Sequence, residues 1–102
     1  MSIQTTIENK LHHAFNPQHC EVINESHMHS VPPNSETHFK VVIVSDHFVD
    51  QRSVGRHQSI YKLLAEELAG PVHALALHTY TESEWEINNQ SAPDSPNCMG
   101  GS

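Results

Sequence analysis

Ten histidines and two cysteines are the residues of this 102-residue chain whose side chains can hold a metal or carry a proton near neutral pH. The histidines are scattered, so each position must be judged separately. Three placements stand out: His27 and His29 in a polar stretch around Pro32-Pro33, His57 directly after Arg56, and His73 just after Gly70-Pro71. Imidazole nitrogen is a competent iron ligand, so metal ligation or a pH response is a question to be put to each of these positions. Against that stand a solvated loop histidine and a strand-edge histidine bonded to backbone. The cysteines, Cys20 in a strand-like run and Cys98 in a polar tail, are too few and too far apart for a disulfide framework or a four-thiolate zinc site, and fit a reducing compartment. Cys98 reads as an unreactive tail thiol, with a redox or ligand role as the alternative.

No nucleophile with a base and an orienting partner, no glycine-rich phosphate loop and no paired acids can be recognised, so no enzyme is expected. The formal charge is -7, with Lys10, Lys40, Arg52, Arg56 and Lys62 as the fixed cations. Nucleic-acid affinity is built largely on neutralising phosphates, so the overall field opposes it. Arg52 and Arg56 nevertheless lie close together in sequence, and they read either as local phosphate contacts or as ordinary surface charge.

The elements that must position these groups follow from periodicity. Ser2 can cap a helix over residues 3 to 15, in which Ile3, Ile7, Leu11 and Phe15 repeat every fourth position, and Asn16-Pro17 ends it. Residues 20 to 24 form a short strand, and 25 to 36 a loop long enough to suggest function. From His38 to Asp46 runs the strongest strand, with Phe39, Val41 and Ile43 on one face and His38, Lys40, Val42 and Val44 on the other. Turn formers over 46 to 56 lead to a long helix beginning at His57, whose core stripe is Ile60, Tyr61, Leu64 and Leu68, and Gly70-Pro71 stops it. Residues 72 to 78 alternate as a further strand, and Thr81-x-x-Glu84 is a capping-box pattern for a last helix over 81 to 88.

The first two strands should be antiparallel and the strand–helix–strand unit a right-handed parallel crossover. The expected fold class is therefore α+β, a two-layer sandwich of three-stranded mixed sheet with helices on one face, in the order αββ(α)αβα. One domain over 1–87 and a disordered tail over 88–102 are expected. The longest aliphatic run, Val41-Val42-Ile43-Val44, falls far short of the roughly 20 residues a membrane helix needs, and the N-terminus lacks the features of an export signal, which suggests a cytoplasmic protein.

The runs Asn24-Glu25-Ser26, Val31-Pro32-Pro33, Ser35-Glu36-Thr37-His38-Phe39-Lys40-Val41, Arg56-His57, Leu64-Ala65-Glu66-Glu67-Leu68, Val72-His73-Ala74-Leu75-Ala76 and Thr79-Tyr80-Thr81 resemble the BolA family over about residues 5 to 87. The tail's Ser95-Pro96-Asn97-Cys98 looks like the Ser-Pro-Pro-Cys ending of bacterial members. The resemblance implies a fold similar to the type II KH domain. It also implies regulation of cell-shape, stress and biofilm genes in bacteria, and pairing with monothiol glutaredoxins around a shared [2Fe-2S] cluster. On that footing His73 matches the family's C-terminal ligand and His29 its loop ligand, and the cluster is held only in the complex. The Arg56-His57 pair matches one that in the family sits beside the surface facing glutaredoxin or nucleic acid, and Arg52 and Arg56 are the candidate phosphate contacts next to it. The chain departs from KH practice in one respect: Gln51-Arg52-Ser53-Val54-Gly55-Arg56 stands where a Gly-x-x-Gly loop would clamp single strands, so RNA binding in that manner is not expected. The free form is expected to be a monomer or weak homodimer.

Overall fold

A computed structural model describes residues 2–26, 35–88 and 91–92. Helix α1 spans Ile3–Phe15, strand β1 His19–Asn24, strand β2 His38–Val44, helix α2 Ser53–Leu63, helix α3 Ala65–Ala69, strand β3 Ala74–Tyr80 and helix α4 Glu82–Ile87, with a 3-10 turn at Asp46–Phe48. Ser2 caps α1 by accepting a hydrogen bond from the Thr5 amide, and the Glu36 carboxylate accepts from the Ile3 and Gln4 amides, which satisfies donors that a helix start leaves open. Asn16, at φ 43°, ends the helix in the left-handed region, a conformation Asn tolerates better than most residues, and Pro17 follows.

The sheet order is β1-β2-β3, with β1 and β2 antiparallel and β2 and β3 parallel, as the element order requires. Alternation along β2 divides the core. Phe39, Val41 and Ile43 pack with Ile7, Leu11, Phe15, Ile60 and Leu64 under α1, α2 and α3, whereas Val42 and Val44 turn the other way and are covered by Trp85 of α4 with Tyr80 beside it. The helices thus do not all lie on one face: three do, and the short last helix closes part of the other, because a strand with apolar residues on both sides needs cover on both. Each of the fully buried aliphatic and aromatic side chains contributes roughly 1.5–3 kcal/mol by leaving water. Among the described residues no helix is long and apolar enough to cross a membrane.

Three local expectations change. Helix α2 starts at Ser53 rather than His57, so Arg56 sits within its first turn, from where its guanidinium reaches back to the Gln51 carbonyl. The long helix is interrupted at Leu64 (φ -101°, ψ 23°), giving α2 and α3. Tyr61 is exposed, not core, since Ile60 and Leu64 at i and i+4 own the inward stripe and the next residue is rotated about 100° away. The chain also keeps packing beyond 87: Ala92 lies against the Val42–Val44–Trp85 cluster. The rest of the expected tail, residues 89, 90 and 93–102, lies outside the described residues.

Cys20 sits half-buried in β1 beneath α1, where burial, then the nearby carboxylates of Glu8 and Glu21, push its thiol up to about 11. A thiol that stays protonated is a poor nucleophile. In a Cys98→Ser background, Cys20 should therefore react with Ellman's reagent at neutral pH far more slowly in buffer than in denaturing urea. Comparable rates in the two solvents would contradict that placement.

Candidate functional site

The site is built where two parallel strands begin. Because β2 and β3 run in the same direction, their first residues meet at one edge of the sheet, His38 opposite Ala74. The Thr37 carbonyl accepts from the amides of both His73 (2.7 Å) and Ala74 (3.2 Å), and the preceding Val72 is buried, with its amide donating to the Glu67 carbonyl at 3.0 Å. The backbone of His73 is thereby clamped on both sides while its side chain is exposed. An exposed imidazole on a fixed backbone suits a ligand that must reach an ion held by another molecule.

The loop carrying His27 and His29 leaves from and returns to this same edge. Ser26, its last described residue before the loop, is buried, and its Oγ accepts from the amides of Thr37 (2.9 Å) and His38 (3.1 Å). Asn24 bridges the two ends, its Oδ1 accepting from the Ser26 amide and its Nδ2 donating to the Ser35 carbonyl at 2.9 Å. Thr37, hydrogen-bonded to Ser26 on one side and to His73 on the other, ties the roots of the loop to the candidate ligand. His27, His29 and Cys98 themselves lie outside the described residues.

The residue that the sequence reading passed over is His38. Its ring centre lies 6.3 Å from that of His73, at 70°, and its Nδ1 is hydrogen-bonded to the Thr37 hydroxyl at 2.8 Å. Parallel register was the available signal: the opening residues of two parallel strands share an edge. Among the described residues no three His, Cys, Asp or Glu side chains come together as a metal site, so the described part of the chain supplies imidazoles in pairs at most. For a [2Fe-2S] cluster, the exposed His73 fits the requirement for an imidazole that can be presented to iron, and such a cluster would bring an electron-transfer centre whose potential is raised by histidine in place of thiolate.

Arg52, Arg56 and His57 do not form one surface. Arg52 is exposed at the start of α2. Arg56 is 6% exposed: its guanidinium donates to both Glu84 oxygens at 2.6 and 3.0 Å and to the Thr79 carbonyl at 3.2 Å, its Nε donates to the Gln51 carbonyl at 2.9 Å, and it lies 5.7 Å from the centre of the Phe48 ring. With its donors directed inward, Arg56 is a tie between α2, β3 and α4 rather than a phosphate contact. The expected pairing with Arg52 is corrected accordingly. His57 is half-buried one residue further along α2. His78, on the opposite face of the sheet from Leu75 and Leu77, titrates below the ordinary imidazole value because of burial first, then the charges of Lys40 and His57, against an opposing pull from Glu25.

Comparison with known proteins gives these positions a context. The profile of the family described as BolA-like protein matches residues 11–84. The chain is 54% identical over 100 residues to the protein named DNA-binding transcriptional regulator BolA in Vibrio cholerae, covering 98% of this chain and 94% of that one. The protein of the same name in Escherichia coli is also 54% identical, with 98% and 95% covered. Among solved structures, the solution structure of BolA1 from Mus musculus superposes with a TM-score of 0.83 at 42% identity, covering 98% of this chain and 80% of that one.

Proposed function

The chain belongs to the BolA-like protein family, and from that premise we propose that it is a non-enzymatic adaptor and regulator: it docks on a monothiol glutaredoxin and completes a shared [2Fe-2S] site through His73 and a loop histidine, His29 or alternatively His27. The observation that carries the reading is the exposed His73 side chain on a backbone fixed by Thr37, at the edge where the histidine-bearing loop is rooted. Ligation requires the neutral imidazole, so assembly should weaken on acidification. Cytoplasmic residence and a link to the control of morphology and stress genes belong to the same proposal.

The test is reconstitution of the full chain with a monothiol glutaredoxin, glutathione, iron and sulfide, followed by visible circular dichroism. The complex of the wild-type chain should give bands distinct from those of the glutaredoxin homodimer, and His73→Ala should abolish the distinct set. Identical spectra for the two chains would remove His73 from the site.

A second reading, a DNA-binding transcription regulator working without a cluster, is favoured by the names of the two bacterial relatives, 54% identical over nearly the whole chain. Arg52, exposed at the start of α2, is its best phosphate contact, with His57 on the same helix. Helix α2 with the turn before it would be the reading element. Promoter affinity should fall steeply with salt, and Arg52→Ala should weaken it and reduce the salt slope by about one phosphate contact. Binding that ignores both salt and Arg52→Ala would count against this reading.

A further inference from the structure

We infer that the outer edge of β3 pairs antiparallel with the same edge of a second copy of this chain across a two-fold axis, joining two three-stranded sheets into one continuous sheet. The inference begins from where the backbone groups of β3 point. In a parallel ladder alternate residues address the same neighbour. The Ala74 amide donates to the Thr37 carbonyl and the Tyr80 carbonyl accepts from the Ser45 amide, so Ala74, Ala76, His78 and Tyr80 address β2. Leu75, Leu77 and Thr79 therefore turn their amides and carbonyls outward. The Arg56 guanidinium bears this out by meeting the Thr79 carbonyl at 3.2 Å from beyond the edge. Among the described residues, the outward groups of Leu75 and Leu77 have no such partner. The opposite edge of the sheet is blunted, because Gln4 Nε2 donates to the Val22 carbonyl of β1 at 2.6 Å. Every residue of β2 after His38 is buried and none of β3 is, as an uncovered edge requires.

An open edge is a template for another strand, and proteins commonly guard one with charge, Pro or a bulge. Ala74–Tyr80 contains neither a fixed charge nor a proline. In a chain of formal charge -7, two copies can meet along it without opposing like charges. Beside the edge, α2 shows apolar side chains to solvent. Its Leu63 borders a groove against α1 with Lys10 and Ala14, so Tyr61, about 200° round the helix, and Val54, two turns earlier, face away from α1 on the side where α2 packs over β3. They are 42% and 66% exposed. The ends of the edge choose the register. Bringing Thr79 or His73 into the new ladder would need groups already taken, the Thr79 carbonyl by Arg56 and the His73 amide by the Thr37 carbonyl. That leaves Leu75 of each copy exchanging both its bonds with Leu77 of the other, with Ala76 facing its own counterpart on the axis. The two-fold also sets the Arg52 end of one α2, near Thr79, beside the α3 end of the second copy, near Val72, where Glu66 is exposed, so opposite charges meet. An interface this small makes the dimer weak and reversible. It uses no atom of the His73 ring and stands apart from the cluster reading.

The test is cysteine crosslinking of the full-length chain in a Cys98→Ser background, together with sedimentation of the wild type. Facing residues of a non-hydrogen-bonded antiparallel pair have Cα atoms about 4.5 Å apart, within disulfide reach. Ala76→Cys should therefore give a disulfide-linked dimer on mild oxidation about tenfold faster or more than Ala74→Cys, whose two copies would stand four residues apart along the strands, roughly 13 Å. The sedimenting mass of the wild type should rise with concentration, and a Val54→Glu/Tyr61→Glu variant should raise the dissociation constant by about tenfold or more, because it sets carboxylates against one another beside the axis. Equal crosslinking rates at 76 and 74 overturn the inference, as does a wild type that stays monomeric at millimolar concentration. Hydrogen-exchange protection of the Leu75 and Leu77 amides that appears only on mixing with glutaredoxin would give the edge to a different occupant and overturn it too. Far-UV circular dichroism checks that each variant is folded. The outcome is separable from that of the cluster reading: His73→Ala should leave crosslinking through Ala76→Cys unchanged while losing the cluster spectrum with glutaredoxin.

Discussion

Glu84→Ala should lower the unfolding free energy by about 2–4 kcal/mol, a large share of the roughly 5–15 kcal/mol available to a domain of this kind. The substitution strands the buried Arg56 guanidinium, which keeps its bonds to the Gln51 and Thr79 carbonyls but loses both carboxylate oxygens. It also removes one half of the capping box that starts α4, since Glu84 accepts from the Thr81 amide at 2.9 Å while the Thr81 hydroxyl accepts from the Glu84 amide. The Glu84 side chain is 43% exposed, so water recovers part of the loss and the effect sits at the lower end of what breaking a buried pair usually does. For a chain of this length the melting temperature should drop by roughly 10–25 °C. Arg56→Lys should also be damaging, because an ammonium cannot reproduce the two-pronged contact with Glu84 and at the same time donate to the Gln51 carbonyl. Wild-type melting behaviour in Glu84→Ala would show that this tie does not hold α4 to α2.

Acid should act through the same contact. Hydrogen bonding from Arg56 holds the Glu84 carboxyl below the usual 4.5, with burial opposing and the Thr81 backbone assisting. Its folded value lies below its unfolded one, so the stabilisation is complete above the unfolded value and is lost as pH falls through the folded value. His78 adds an earlier loss. Its imidazole titrates below 6.5 in the folded chain, so the unfolded chain takes up that proton first and stability begins to decline as pH falls below about 6.5. Urea midpoints measured across that range should show the first decline disappear in His78→Ala and the second in Glu84→Gln.

Much of the fold could be read from apolar spacing. Ile7, Leu11 and Phe15 are buried as the four-residue repeat requires, and the alternation of Phe39, Val41 and Ile43 with Val42 and Val44 marked a strand packed on both sides. The Thr81-x-x-Glu84 capping box formed as its spacing implies. The inward turn of Arg56 was not legible, because nothing local pairs it with Glu84, 28 residues later. Nor was the true start of α2, since Arg52 precedes Ser53 at its N-terminus without any side-chain cap to announce it. At the site, His73 could be singled out by its place after Gly70-Pro71. Its neighbour His38 emerged only from parallel register, which composition and local spacing do not encode.

The second large effect concerns His73. Replacing it with Ala leaves the Thr37 clamp on its backbone amide intact and removes an exposed ring, so the fold should change little, by about 0.5 kcal/mol at most. Its effect on the complex should be near total, because losing one ligand of a shared cluster opens that iron to solvent or to the thiols of a second glutaredoxin. The pairing of an unperturbed fold with a lost cluster separates a ligand from a structural residue. The most direct measurement is pulsed electron paramagnetic resonance on the reduced complex, assembled from this chain labelled with 15N-histidine and unlabelled glutaredoxin. The account predicts strong 15N couplings from directly bound imidazole in the wild type, and in His73→Ala the loss of the shared-cluster signal together with those couplings. A reduced cluster with no 15N coupling from this chain, or with couplings that survive His73→Ala unchanged, would contradict it.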